Sequence, residues 1–121
     1  RAAALARRWR GPRPRVAPLA ALADPAVLGD AALVVNTTSL GLHGDALPAI
    51  AWAATPARCL FADLVYGAET AFVRAARRAG RPTCDGSEML LQQGARAFAL
   101  WTGRRPPLAV MRRALRDQIS G

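Results

Sequence analysis

The chain has no lysine; all seventeen of its basic residues are arginine. That absence excludes any mechanism in which this chain alone supplies a lysine base or a Schiff-base amine. His43 is the only histidine. With no second ligand beside it, a metal site is not expected. The two cysteines, Cys59 and Cys84, lie far apart and form no C-x-x-C pair. They read as reduced, buried and inert thiols of a cytoplasmic protein, not as a disulfide framework. No apolar run approaches the roughly 18 residues of a membrane span, and the start is not a signal peptide.

What is present suits one globular domain. The 121 residues are 52% hydrophobic and 21% charged, outside the disordered range. Much of the hydrophobic share is alanine, so the core must be assembled from a modest set of larger groups. The net charge is +9. Arg7, Arg8 and Arg10 around Trp9 could grip nucleic acid, but arginine recurs on every expected helix surface, which points to a chain-wide bias. The chain opens on Arg1 and enters a helix at once; we expect a piece of a longer protein.

Hydrophobic periodicity orders the elements. A helix is expected over 2–9 and a short strand from Arg15 to Leu19. Asp24-Pro25 opens a short helix, with Asp as N-cap and Pro at the first helical position. Ala31 to Val35 is an unbroken apolar run, the pattern of a strand buried on both faces of a parallel sheet. A helical turn is expected around Pro48, and a second strong strand from Arg58 to Tyr66. The helix from Glu69 to Ala79 turns Phe72, Val73 and Ala76 inward and Arg74, Arg77 and Arg78 outward. Pro82 to Cys84 reads as a short strand. Ser87 caps the next helix, whose stripe is Leu90, Gly94, Ala97, Phe98 and Trp101. A last helix starts at Pro106 and repeats Leu108, Met111, Leu115 and Ile119. Strand and helix alternate through residue 85, which argues an α/β fold with a parallel sheet.

In such a sheet ligands bind beyond the carboxyl ends of the strands, and three ends carry polar groups. Asn36-Thr37-Thr38-Ser39 with Gly41 supplies amides, hydroxyls and close backbone approach, or simply a turn. Asp63-Leu64-Val65-Tyr66 puts a carboxyl inside an apolar strand, which is costly unless paired. Asp85-Gly86 leads into Ser87, Glu88 and Met89, and Gln93 follows one helical turn after Met89.

Together these residues resemble the C-terminal part of the shikimate dehydrogenase family. Asn36-Thr37-Thr38 with Ser39 and Gly41 matches its N-A/T-T-x-x-G, and Asp63 to Tyr66 its D-x-x-Y, followed by Glu69-Thr70. Asp85-Gly86-Ser87-Glu88-Met89-Leu90-Leu91-Gln92-Gln93 matches D-G-x-x-M-L-x-x-Q, continuing through Ala97-Phe98 and Trp101-Thr102-Gly103. The resemblance implies a partial Rossmann-like NADP-binding domain over 1–85, carrying strands 3 to 6 of the usual order. Over 86–121 it implies C-terminal helices that pack on a substrate domain. It also implies reduction of 3-dehydroshikimate to shikimate with NADPH. By resemblance Arg1, Asn36, Thr37, Thr38, Leu64, Gly86 and Met89 contact NADP, with Arg1 on the 2′-phosphate. Tyr66 and Gln93 bind the substrate. The family's catalytic lysine and aspartate have no match here and are expected upstream of Arg1. No catalytic residue is assigned to this chain, and the fragment is expected to be inactive alone. A small-molecule ligand, no nucleic acid or membrane, and a full-length monomer or homodimer complete the expectation. A quinate- or NAD-using dehydrogenase of the same fold is the alternative, and a basic nucleic-acid module a further one.

Overall fold

The two apolar runs read as strands lie side by side. In the computed structural model, which describes residues 2–12, 14–40, 46–67 and 69–120, Leu33–Asn36 (β1) and Leu60–Asp63 (β2) run parallel. Their register is Leu33 to Leu60 through Asn36 to Asp63. Thr83–Cys84 (β3) adds parallel to the far side of β2, giving the order β1-β2-β3. The α/β class holds.

The expected strand from Arg15 to Leu19 does not form. That stretch carries no strand assignment and leads into a 3-10 turn at Leu19–Ala23. A strand needs a neighbour for its N–H and C=O groups, and the described residues provide none there. The sheet therefore has three strands where four were expected.

One face of the sheet is well covered. Val34 and Phe61 sit opposite each other in the register, and side chains two apart share a face. Against them packs Ala71–Arg78 (α3), which buries Phe72, Val73 and Ala76 as its periodicity predicts. Trp52, in a 3-10 turn at Trp52–Ala54, completes an aromatic cluster with Phe61 and Phe72. Pro48 lies just before that turn, outside any helix. The opposite face is open at Leu33 and Val35, both exposed. The expectation that β1 is buried on both faces is thus not met among the described residues.

Thr70 caps α3, its Oγ1 accepting from the Val73 N–H at 3.3 Å. The helix stops where Gly80 takes a left-handed φ of +71°, a conformation that costs glycine nothing. Arg81 then reaches back across the fold. Its Nε donates to Thr55 Oγ1 at 2.8 Å, and its Nη2 donates to the carbonyl oxygens of Thr55 (2.9 Å) and Trp52 (3.2 Å). One guanidinium so pins the 52–55 turn to the start of the loop before β3.

Ala2–Arg8 (α1) buries nothing. Pro25–Leu28 (α2) begins as expected, with Asp24 Oδ1 accepting from the Ala26 N–H at 2.9 Å. Ser87–Thr102 (α4) and Leu108–Ser120 (α5) pack on each other. Met111 lies against Gly94, and Arg112 donates to Glu88 at 2.8 Å. Leu91 and Ala95 are the buried residues of α4; of the expected stripe, Leu90, Gly94, Ala97 and Phe98 are half-buried, whereas Trp101 is 81% exposed. The helix is apolar on more than one side, and only one of them meets α5. Among the described residues no helix is long and apolar enough to cross a membrane.

Candidate functional site

The carboxyl ends of β1 and β2 are joined side chain to side chain. Asp63, 1% exposed, accepts three hydrogen bonds. The donors are Asn36 Nδ2 at 3.2 Å, Thr70 Oγ1 at 2.7 Å and the Val65 N–H at 3.1 Å. The expensive carboxyl in an apolar strand is therefore fully paired. Asn36 passes the order on. Its Oδ1 accepts from the Thr38 N–H at 3.1 Å and from Thr38 Oγ1 at 2.7 Å, and that hydroxyl accepts from the Leu40 N–H at 3.2 Å. An Asx turn so closes over the end of β1.

The backbone continues this edge toward α4. The Leu64 N–H donates to the Asn36 carbonyl at 3.1 Å, and the Gly86 N–H to the Val65 carbonyl at 3.0 Å. Gly86 is buried beneath Leu64. A Cβ built on it would stand 2.1 Å from the Leu64 carbonyl oxygen. With φ at −76°, glycine is required here by contact, not by dihedral angle. Gly86 is the N-cap residue of α4. The helix is capped by Asp85 Oδ1, which accepts from the Ser87 N–H at 3.0 Å; the expected cap at Ser87 is replaced by its neighbour, because Ser87 already lies inside the helix.

The structure brings Asn36, Leu64 and Gly86 into one line across the sheet edge. Thr37 and Thr38 are exposed beside it, bordering a hollow of about 260 Å³ shared with Leu19, Val35 and Leu40. Met89 stands exposed in the first turn of α4, with Gln93 exposed one turn further. Tyr66, 50% exposed, follows β2. Arg1, Gly41 and His43 lie outside the described residues.

Two contributors are not marked by any strong sequence signal. Thr70 stands directly before an apolar helical period, the position of an N-cap, which is the one local signal it carries. Arg81 was hidden in the general excess of arginine. The cysteines divide: Cys59 is buried as expected, whereas Cys84 is exposed because β3 is an edge strand. Burial pushes the Cys59 thiol up from its ordinary range, partly opposed by the Arg81 charge. Hydrogen bonds from Gln92 and Arg112 hold the exposed Glu88 carboxyl below its usual range.

This arrangement can present hydroxyls, amides and bare backbone to a flat polar ligand along one edge. Known proteins resemble the chain that carries it. The family model for the shikimate 5'-dehydrogenase C-terminal domain matches residues 86–116. The shikimate dehydrogenase (NADP(+)) of Rhodopseudomonas palustris strain TIE-1 is 46% identical over 102 residues, covering 84% of this chain and 37% of that protein. Its counterpart from Methanocella arvoryzae is 41% identical over 88 residues, 72% of this chain and 33% of its own length. Among solved structures, shikimate 5-dehydrogenase from Thermus thermophilus, in complex with NADP(H) and shikimate, superposes with a TM-score of 0.64. It is 35% identical over 85% of this chain and 38% of that one. Quinate dehydrogenase from Corynebacterium glutamicum, in complex with NAD, gives 0.62 at 33% identity, over 74% and 32%. The chain spans a little over a third of the length of the first of these relatives. From the ordered strand ends and these likenesses, the chain matches the C-terminal part of shikimate dehydrogenases over most of its length.

Proposed function

We propose that this chain supplies the cofactor-facing half-site of an NADP-dependent shikimate dehydrogenase, an enzyme that reduces 3-dehydroshikimate to shikimate in aromatic amino acid biosynthesis. The observation that carries the reading is the continuous edge from Asn36 through Leu64 to Gly86, stitched by backbone hydrogen bonds. The residues present fit a dinucleotide. Exposed hydroxyls at Thr37 and Thr38 border an apolar-walled hollow, and the backbone at Gly86 is bare of side chain. Bound NADPH supplies the hydride. Asn36 shapes the turn that faces the dinucleotide, Thr37 and Thr38 meet it there, and Arg1 pairs with its 2′-phosphate. Leu64 and Gly86 offer backbone to the nicotinamide end, with Met89 packed beside the ring. Tyr66 and Gln93 orient the substrate's hydroxyl and carboxyl groups. No residue of this chain is assigned the proton transfer, and the chain alone is inactive.

In this reading residues 1–85 form the cofactor unit and 86–121 the helices that meet a substrate domain; Leu100 and Trp101, at 82% and 81% exposure, support it. The partner is a small molecule, not nucleic acid or membrane, in the cytoplasm, and the complete enzyme is a monomer or homodimer. The test joins this chain to the preceding portion of the Rhodopseudomonas palustris enzyme. The chimera is expected to oxidise NADPH when given 3-dehydroshikimate, and to prefer NADPH to NADH. A chimera that melts cooperatively yet neither turns over nor binds NADPH would overturn the reading. Salt-sensitive binding to random DNA would favour the nucleic-acid alternative.

A further inference from the structure

Asp63 and Thr70 reach no surface from which a ligand could be touched: they are 1% and 4% exposed. Yet both oxygens of Asp63 are committed, and two of its three donors are side chains of other elements, Asn36 of β1 and Thr70 at the start of α3. Asn36 in turn fixes Thr38 by two hydrogen bonds, and Thr38 fixes Leu40. The order therefore runs from α3 through a buried carboxyl to an exposed turn. We propose that Asp63 and Thr70 are positioning residues for the cofactor, holding the Asn36 amide so that the turn it closes, with the exposed Thr37 and Thr38, faces the cofactor in one fixed pose. This rests on the reading of that turn as dinucleotide-facing.

The chemistry explains why an aspartate stands there. All three of its partners are donors, so the side chain must accept on every side. Asp63→Asn places an amide donor against either Asn36 Nδ2 or the Val65 N–H, and the clash releases Asn36 to rotate. Thr70→Val keeps the shape and removes the donor; Thr70→Ser keeps the hydroxyl. Because Thr70 also caps α3, a control that weakens α3 without touching the network is needed, and Ala75→Gly is that control.

The experiment measures steady-state kinetics of the chimera described above, together with amide exchange at Thr38 and Leu40. Asp63→Asn and Thr70→Val are expected to raise the KM for NADPH about three- to tenfold, the scale of one lost hydrogen bond. The substrate KM and kcat stay near the parent values, exchange at Thr38 quickens, and Thr70→Ser restores both readouts. Ala75→Gly lowers the melting temperature but leaves both unchanged. An NADPH KM and Thr38 exchange that follow the melting temperature alike in all variants would overturn the proposal. The exchange measurement needs no turnover. If the cofactor reading fails while Thr38 is still released only by the Asp63 and Thr70 variants, the buried linkage stands and its purpose is lost.

Discussion

Trp52 and Phe61 meet with ring centroids 5.1 Å apart and planes inclined by 45°, and Phe72 closes the triangle at 5.8 Å from each. Phe61 is completely buried. In a chain whose commonest apolar residue is alanine, this trio gathers three large rings in the core. Phe61→Ala is expected to cost about 3–5 kcal/mol, the transfer loss plus the cavity it leaves. Urea unfolding checks it; a loss of under about 1 kcal/mol would show that the site collapses without penalty.

Gly86→Ala tests the contact under Leu64. The added methyl cannot fit beside a carbonyl oxygen 2.1 Å away, and the neighbour is backbone, which does not swing aside. The strand end and α4 must separate, at about 1–3 kcal/mol or more. In the chimera the KM for NADPH rises as Leu64 and Met89 lose their places.

Tyr66→Phe and Gln93→Ala test the substrate half of the reading. Each is expected to weaken binding of shikimate by about 1–3 kcal/mol through unpaired polar groups, with the KM for NADPH unchanged. Isothermal titration of the chimera decides. Equal affinity in both variants would remove Tyr66 and Gln93 from the site.

The thiols should separate cleanly. Cys84 reacts with a thiol reagent in the native state, whereas Cys59 reacts only on unfolding. Because burial raises the Cys59 pKa, the folded state binds its proton more tightly than the unfolded state does. Stability from this group is complete below the ordinary thiol range and is lost as pH rises through it. Cys59→Ala should flatten that alkaline decline while Cys84→Ala leaves it intact, as melting temperatures against pH would reveal.

How much of this was readable beforehand depends on whether the deciding interaction is local. The inward face of α3 at Phe72, Val73 and Ala76 follows from helical period alone, and so does the Asp24 cap of α2. The polar strand ends stood out because Asn36 and Asp63 interrupt apolar runs. The motif resemblance carried the site, since no spacing rule says that Asn36 stands opposite Asp63. What failed was non-local. Arg15 to Leu19 is a short apolar stretch with no strand beside it among the described residues, and α4 buries Leu91 while leaving Trp101 open, a choice set by what packs against the helix. The pairing of Asp63 with Thr70 also needs the fold, because the chain must turn between them before the hydroxyl returns to the carboxyl.

The seam between Gly86 and Leu64 also acts as a fulcrum. Gln93 rides on α4 seven residues beyond it, about 10 Å along the axis at 1.5 Å per residue. A tilt of about 5° at that pivot swings the amide by about 1 Å, which at the substrate contact proposed for Gln93 is enough to spoil alignment. The missing methyl at residue 86 thus sets the aim of a side chain two helical turns away, by leverage alone.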